Sequence, residues 1–317
     1  MDKYGVQTLA NRILDNVKKV IIGKDEEIKL ILTAILTGGH VLMEDVPGTG
    51  KTVMAKSLAK SVDCLFSRIQ FTPDLLPGDV TGLSVFDAHK AEFVFKPGPV
   101  FTNILLADEI NRATPRTQAA LLECMEEKQV TTDGVTRKLA APFLVIATQN
   151  PIETQGTFPL PEAQLDRFLL KLRIGRLSHA DSVSVLSRFL SNDPLTALES
   201  VCGKEDIIKA QEAVRECRVS EPVLGYIASV CERTHTAPGV LLGVSPRGML
   251  SLMRACQSYA MIEGRDFVTP DDVKALAVPV LAHRLSVRAA YGLTGQQEEA
   301  VKNVLNEVET PTENMEK

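Results

Sequence analysis

The sequence predicts an α/β fold: a parallel sheet with helices on both faces and two hairpin inserts over residues 1–176, followed by an all-helical lid domain over 177–317. Three observations carry this. Apolar strand-like runs alternate with helical stretches as far as Arg176. The run Ile104-Leu105-Leu106-Ala107 ends in Asp108-Glu109, as a buried parallel strand does when it delivers carboxylates to the carboxyl edge of a sheet. Pro47-Gly48-Thr49-Gly50-Lys51-Thr52 stands between a short strand and a helix, the setting of a phosphate-binding loop.

Taken in order, Met1 to Val20 mixes Asp2, Lys3, Arg12, Asp15, Lys18 and Lys19 among its apolar residues. It reads as neither a signal peptide nor a membrane span, and a cytoplasmic protein is expected. Strands are expected at 41–44, 67–71, 103–107, 143–148 and 169–174. Gly82 to Phe95 reads as a hairpin turning at Asp87 to Lys90, and Gln129 to Lys138 as a second one turning at Asp133-Gly134. Beyond Arg176, Ser245-Pro246 and Thr269-Pro270-Asp271-Asp272 pair a cap residue with a first-turn proline, so helices begin there. Met249, Leu252, Met253, Cys256 and Ala260 share one helical face, as do Ile207, Ala210, Val214 and Cys217, and both stripes are core. The polar tail from Glu309 is expected to fray.

Composition narrows the function. Apolar residues make up 44% and charged residues 24%, ordinary for a soluble globular protein, and 317 residues suffice for two domains. A net charge of −5 without a Lys/Arg cluster weakens any nucleic-acid groove, which needs positive charge along a phosphate track. The six cysteines contain no C-x-x-C pair and are expected to be reduced thiols. The five histidines are scattered and read as packing or surface residues, with His40 of interest because it starts the loop-bearing strand.

The chemistry concentrates in a few segments. Backbone N–H groups from Gly48 to Lys51 would wrap a β-phosphate at a helix N-terminus, Lys51 would neutralise β and γ oxygens, and Thr52 would offer its hydroxyl to Mg²⁺. Asp45 stands where the general loop pattern has Gly, and is expected to turn away and bond to backbone. Because side chains alternate along a strand, Asp108 and Glu109 should point in opposite directions, Asp108 toward the Mg²⁺ shell and Glu109 toward the attacking water. The plain alternative is that the pair simply starts the next helix. Asn150, before Pro151, could hold that water or sense the γ-phosphate, or serve only as a turn residue. Arg167, at the end of a short helix, could reach a neighbouring subunit's phosphates, or merely pair with a local carboxylate such as Asp166. Arg247, near the start of a lid helix, is expected to contact the γ-phosphate within its own chain, while Arg112 and Arg116 are weaker candidates for inter-subunit contacts.

These segments together resemble the AAA+ ATPases, and more narrowly the MoxR family. The stretches are Ile21-Ile22-Gly23, Glu44 to Thr52, Leu106 to Arg112, Ala147 to Pro151, Glu162 to Phe168 and Ser245-Pro246-Arg247. The resemblance implies an AAA+ αβα core with its lid, and supplies the names Walker A, Walker B, sensor 1 for Asn150, arginine finger for Arg167 and sensor 2 for Arg247. It implies that Val20 to Gly23, including Ile22 and Gly23, contact adenine, with Val53 following the phosphate loop. Members are similar to hexameric, chaperone-like ATPases that use ATP and Mg²⁺ to mature or remodel protein complexes. They often act with a von Willebrand factor A-domain partner and sometimes in metal insertion. A helicase-like nucleic-acid motor of the same branch is the alternative, disfavoured by the acidic charge.

Overall fold

The computed structural model describes residues 1–44, 48–150, 156–190, 193–288 and 295–311. Two N-terminal helices lead the chain. α1 (Lys3–Lys18) is capped by Asp2, whose carboxylate accepts the Gly5 N–H at 2.8 Å, and α2 (Asp25–Thr37) opens on three acids that suit the helix dipole. The central unit then runs β1 (Val41–Glu44), α3 (Lys51–Ser61), β2 (Phe66–Gln70), α4 (Pro77–Thr81), β3 (Gly82–Asp87), β4 (Glu92–Pro97), β5 (Ile104–Asp108), α5 (Pro115–Glu127), β6 (Gln129–Thr132), β7 (Val135–Lys138), β8 (Leu144–Gln149), α6 (Glu162–Leu165) and β9 (Leu170–Leu172). The C-terminal part follows as α7 (His179–Arg188), α8 (Lys204–Ala213), α9 (Glu221–Thr234), β10 (Val240–Leu242), α10 (Pro246–Ile262), α11 (Pro270–Leu281), β11 (Ser286–Val287) and α12 (Gln296–Glu307).

The five expected strands form one parallel sheet in the order β2-β5-β8-β1-β9. The last, an edge strand paired with β1 alone, is shorter than expected. Alternation sends Val41, Met43, Ile104, Leu106, Leu144 and Ile146 into a core on one face, and Leu42, Leu105, Ala107, Val145 and Ala147 into a core on the other. That double burial is why the strands read as unbroken apolar runs. β3 pairs with β4 and β6 with β7, the two expected hairpins.

Ser245 and Thr269 cap α10 and α11 as expected, and Thr269 forms a capping box with Asp272. The short antiparallel pair of β10 with β11 is an addition to the all-helical expectation. The larger core runs without a break from α1 and α2 through the sheet to α8, α9, α10 and α11, so it spans the boundary expected near residue 176. No helix among the described residues is long and apolar enough to cross a membrane.

Candidate active site

In a parallel sheet every carboxyl end lies along one edge, and here the functional segments follow three neighbouring strands. The phosphate loop follows β1, Asp108 ends β5 with Glu109 just beyond it, and Asn150 follows β8, the strand between them. Gly48 and Gly50 both have φ of 86°, and a Cβ at either would meet no protein atom within 4 Å. The two glycines thus leave an open cradle at the N-terminus of α3, where backbone N–H groups and the helix dipole favour an anion. Asp45, Pro47 and Pro151 lie outside the described residues.

A cleft of about 360 Å³ opens at this edge, lined by Gly48, Gly50, Lys51, Thr52 and Val53 on one side and Asp108, Glu109 and Asn150 on the other. The Thr52 hydroxyl and the Asp108 carboxylate are hard oxygen donors in one cleft, a donor set that fits Mg²⁺. Thr49 belongs to the same loop.

The acids are placed differently from the expectation. β5 ends at Asp108, and Glu109 turns left-handed with φ of 54°, so strand alternation no longer governs its direction. Both carboxylates therefore line the same cleft. Glu109 is the N-cap residue of a short 3-10 turn over Ile110–Arg112, its carbonyl accepting the Arg112 N–H at 2.9 Å, while its side chain makes no capping bond. Its Oε2 accepts from Gln70 Nε2 at 2.7 Å and from Arg112 Nη1 at 3.0 Å. Asp108 is buried; its Oδ1 accepts from the Thr148 hydroxyl at 3.0 Å and its Oδ2 from Arg68 Nε at 2.7 Å. The same Thr148 oxygen accepts the Glu109 N–H at 2.9 Å, so one side chain fixes both acids.

A second, more apolar cavity of about 500 Å³ adjoins the cleft and shares Gly48, Gly50 and Val53 with it. Its walls include Val20, Ile21 and Met54 from the core, the part-exposed Ile22, and Val185 and Phe189 from α7 and its end, a setting for a planar base. Gly23 is not among its walls. With φ of 68°, it lets the Asp181 side chain of α7 come so near that a Cβ would sit 2.6 Å from the carboxyl carbon.

The two expected arginines occupy a third place. Arg167 and Arg247 line another cleft of about 280 Å³, none of whose walls belongs to the phosphate cleft. Glu126 holds them both, at 2.6 Å from Arg247 Nη2 and 3.9 Å from Arg167 Nε. Arg247, expected to contact the phosphates of its own chain, lies here beside Arg167, where α10 packs against α2 and α11. Arg112 is paired to Glu109, and Arg116 is exposed on α5.

Sequence reasoning missed Arg68, Gln70 and Thr148. The available signal was the alternation in Phe66-Ser67-Arg68-Ile69-Gln70, which puts two polar side chains on one face of a strand beside β5. The cysteines are all free thiols, four of them buried, and burial pushes Cys124, Cys202 and Cys231 up to about 12. His40 is a packing residue, bonded on both ring nitrogens.

Comparison with known proteins agrees with this geometry. Residues 40–170 match the family model described as the ATPase family associated with various cellular activities (AAA), and 232–304 match the AAA lid domain. The chain is 49% identical to YeaC of Bacillus subtilis over 96% of both chains. It is 40% identical to chaperone MoxR1 of Mycobacterium tuberculosis, over 88% of this chain and 76% of that one. A crystal structure of an ATPase candidate from Cytophaga hutchinsonii superposes with a TM-score of 0.90 at 37% identity, covering 98% of this chain and 97% of the other.

Proposed function

The chain belongs to the MoxR family of AAA+ ATPases, ATP hydrolases, and from that premise we propose a Mg²⁺-dependent ring motor, a hexamer, in which each site is completed by a neighbouring subunit. The observation that carries this reading is the separation of Arg167 and Arg247 from the cleft of Lys51 and Asp108. Two arginines that share a carboxylate away from their own phosphate cleft support a role toward another chain's phosphates.

Within a subunit, the loop N–H groups and Lys51 take the β and γ oxygens, and the base enters the cavity walled by Ile22 and Phe189. Thr52 and Asp108 would hold Mg²⁺, which would supply positive charge against the phosphates. Glu109 orients and deprotonates the attacking water, and Asn150, between the two strands, helps to hold it. For Glu109 to act, its bonds to Gln70 and Arg112 must loosen. The work delivered is chaperone-like remodelling or maturation of a protein client, and a von Willebrand factor A-domain protein is the partner class that the family resemblance implies.

The test is ATPase rate against protein concentration, with wild type and Arg167→Ala mixed in varying ratios. Specific activity should rise with concentration and fall more steeply than in proportion to the variant, with the pure variant about 10³-fold slower. A flat rate per subunit with proportional loss would leave each chain working alone.

A further inference from the structure

With Arg167 and Arg247 in another cleft, two cationic side chains among the described residues line the phosphate cleft itself: Lys51 and Arg68. Arg68 stands on β2, the outermost strand of the sheet, and its side chain is half exposed, whereas that of Asp108 is only 10% exposed. The pair therefore has one fixed end and one free end. Thr148 anchors Asp108, while Arg68 holds it through Nε at 2.7 Å and reaches Gln70 Oε1 through Nη2 at 3.3 Å.

A carboxylate that accepts a guanidinium cannot also take a divalent cation without setting two positive groups against each other. When Asp108 turns to a cation, Arg68 loses its acceptor, and with ATP in the cleft the γ-phosphate is a new one within the same walls. A planar guanidinium suits phosphate oxygens and makes charge-assisted bonds to them. With ADP no such acceptor exists, and Arg68 continues to compete for Asp108.

We propose that Arg68 exchanges acceptors, from Asp108 in the cation-free site to the γ-phosphate in the ATP-loaded one, and so sets the preference of the site for ATP over ADP. This rests on the ATPase reading of the cleft. By linkage, a residue that opposes cation binding with ADP and not with ATP shifts both equilibria by the same factor.

The experiment titrates the full-length protein with mant-ATP and mant-ADP at fixed Mg²⁺, in a Glu109→Gln background so that ATP survives. It compares Arg68 with Arg68→Ala and Arg68→Lys, and follows Mn²⁺ binding to the ADP-loaded proteins by electron paramagnetic resonance. Arg68→Ala should weaken mant-ATP about tenfold or more, the scale of one charge-assisted bond, and leave mant-ADP within about threefold. Mn²⁺ should bind its ADP-loaded form severalfold more tightly, and Arg68→Lys should fall between. Equal loss for both nucleotides, or no change in either, overturns the exchange and leaves the ATPase reading standing. Failure of the Arg68-containing protein to bind either nucleotide overturns both.

Discussion

Glu109 shows how a single backbone angle decides chemistry. Had β5 continued, its carboxylate would have pointed away from that of Asp108; the left-handed turn at φ of 54° brings both into one cleft instead. The turn is held by the Glu109 N–H to the Thr148 hydroxyl, a bond from a neighbouring strand that local sequence cannot announce. In the proposed role of general base, Glu109 should contribute about 10²–10⁴-fold to turnover, so Glu109→Gln should bind ATP like wild type and hydrolyse it slower by that factor. Nucleotide binding and single-turnover kinetics check this together, and turnover near the wild-type rate would remove Glu109 from the role. The identities of Lys51, Thr52, Asp108 and Glu109 were legible because glycine spacing and an apolar run ending in acids are local signals. Arg68 and Thr148 were not, because each matters through a side chain on another strand.

At the scale of elements, strand positions were legible to within a few residues because both sheet faces are buried, and the Asp133-Gly134 turn marked its hairpin. The position of Arg247 was not, since it depends on how α10 packs against distant helices. The junction of β1, β8 and α5 has its own signature. His40 Nδ1 accepts the Val145 N–H at 3.0 Å, so Nε2 carries the proton it donates to the Met125 carbonyl at 3.1 Å, and the ring joins all three elements while neutral. Burial, with Lys128 nearby, pushes its pKa down from 6.5 to about 4. The unfolded chain thus takes up a proton between pH 6.5 and 4 that the folded chain refuses, so stability is full above that window and is lost as pH falls through it. The loss reaches about 3 kcal/mol at pH 4. His283, also buried and held neutral beside Arg284, adds in the same direction. Urea midpoints should fall from pH 7 to 5.5, before most carboxylates titrate, and His40→Gln should flatten that slope. An unchanged slope in the variant would place the proton uptake elsewhere.

For the whole molecule, the question is whether the C-terminal helices form a separate lid or part of one body. Arg284, at the end of α11, is 7% exposed and grips the segment that carries Arg167. Its Nε donates to Asp166 Oδ1 at 2.6 Å, Nη2 to the Phe168 carbonyl at 2.8 Å and Nη1 to the Leu169 carbonyl at 3.2 Å. Burial lowers its pKa and the Asp166 carboxylate opposes that, so the guanidinium is kept charged by the segment it holds. Together with the core that runs unbroken from α1 to α11, this makes the C-terminal helices and the sheet depend on each other for burial. Calorimetry should therefore show one cooperative unfolding transition. Arg284→Ala removes the buried partner of Asp166 and leaves it the longer 3.7 Å contact with Arg247 Nε, a loss of about 3 kcal/mol that should lower that transition as a unit by roughly 5 °C. A second endotherm in either protein would show that the helices unfold alone, and the arginines they position would then have to be set by the neighbouring subunit rather than by this chain.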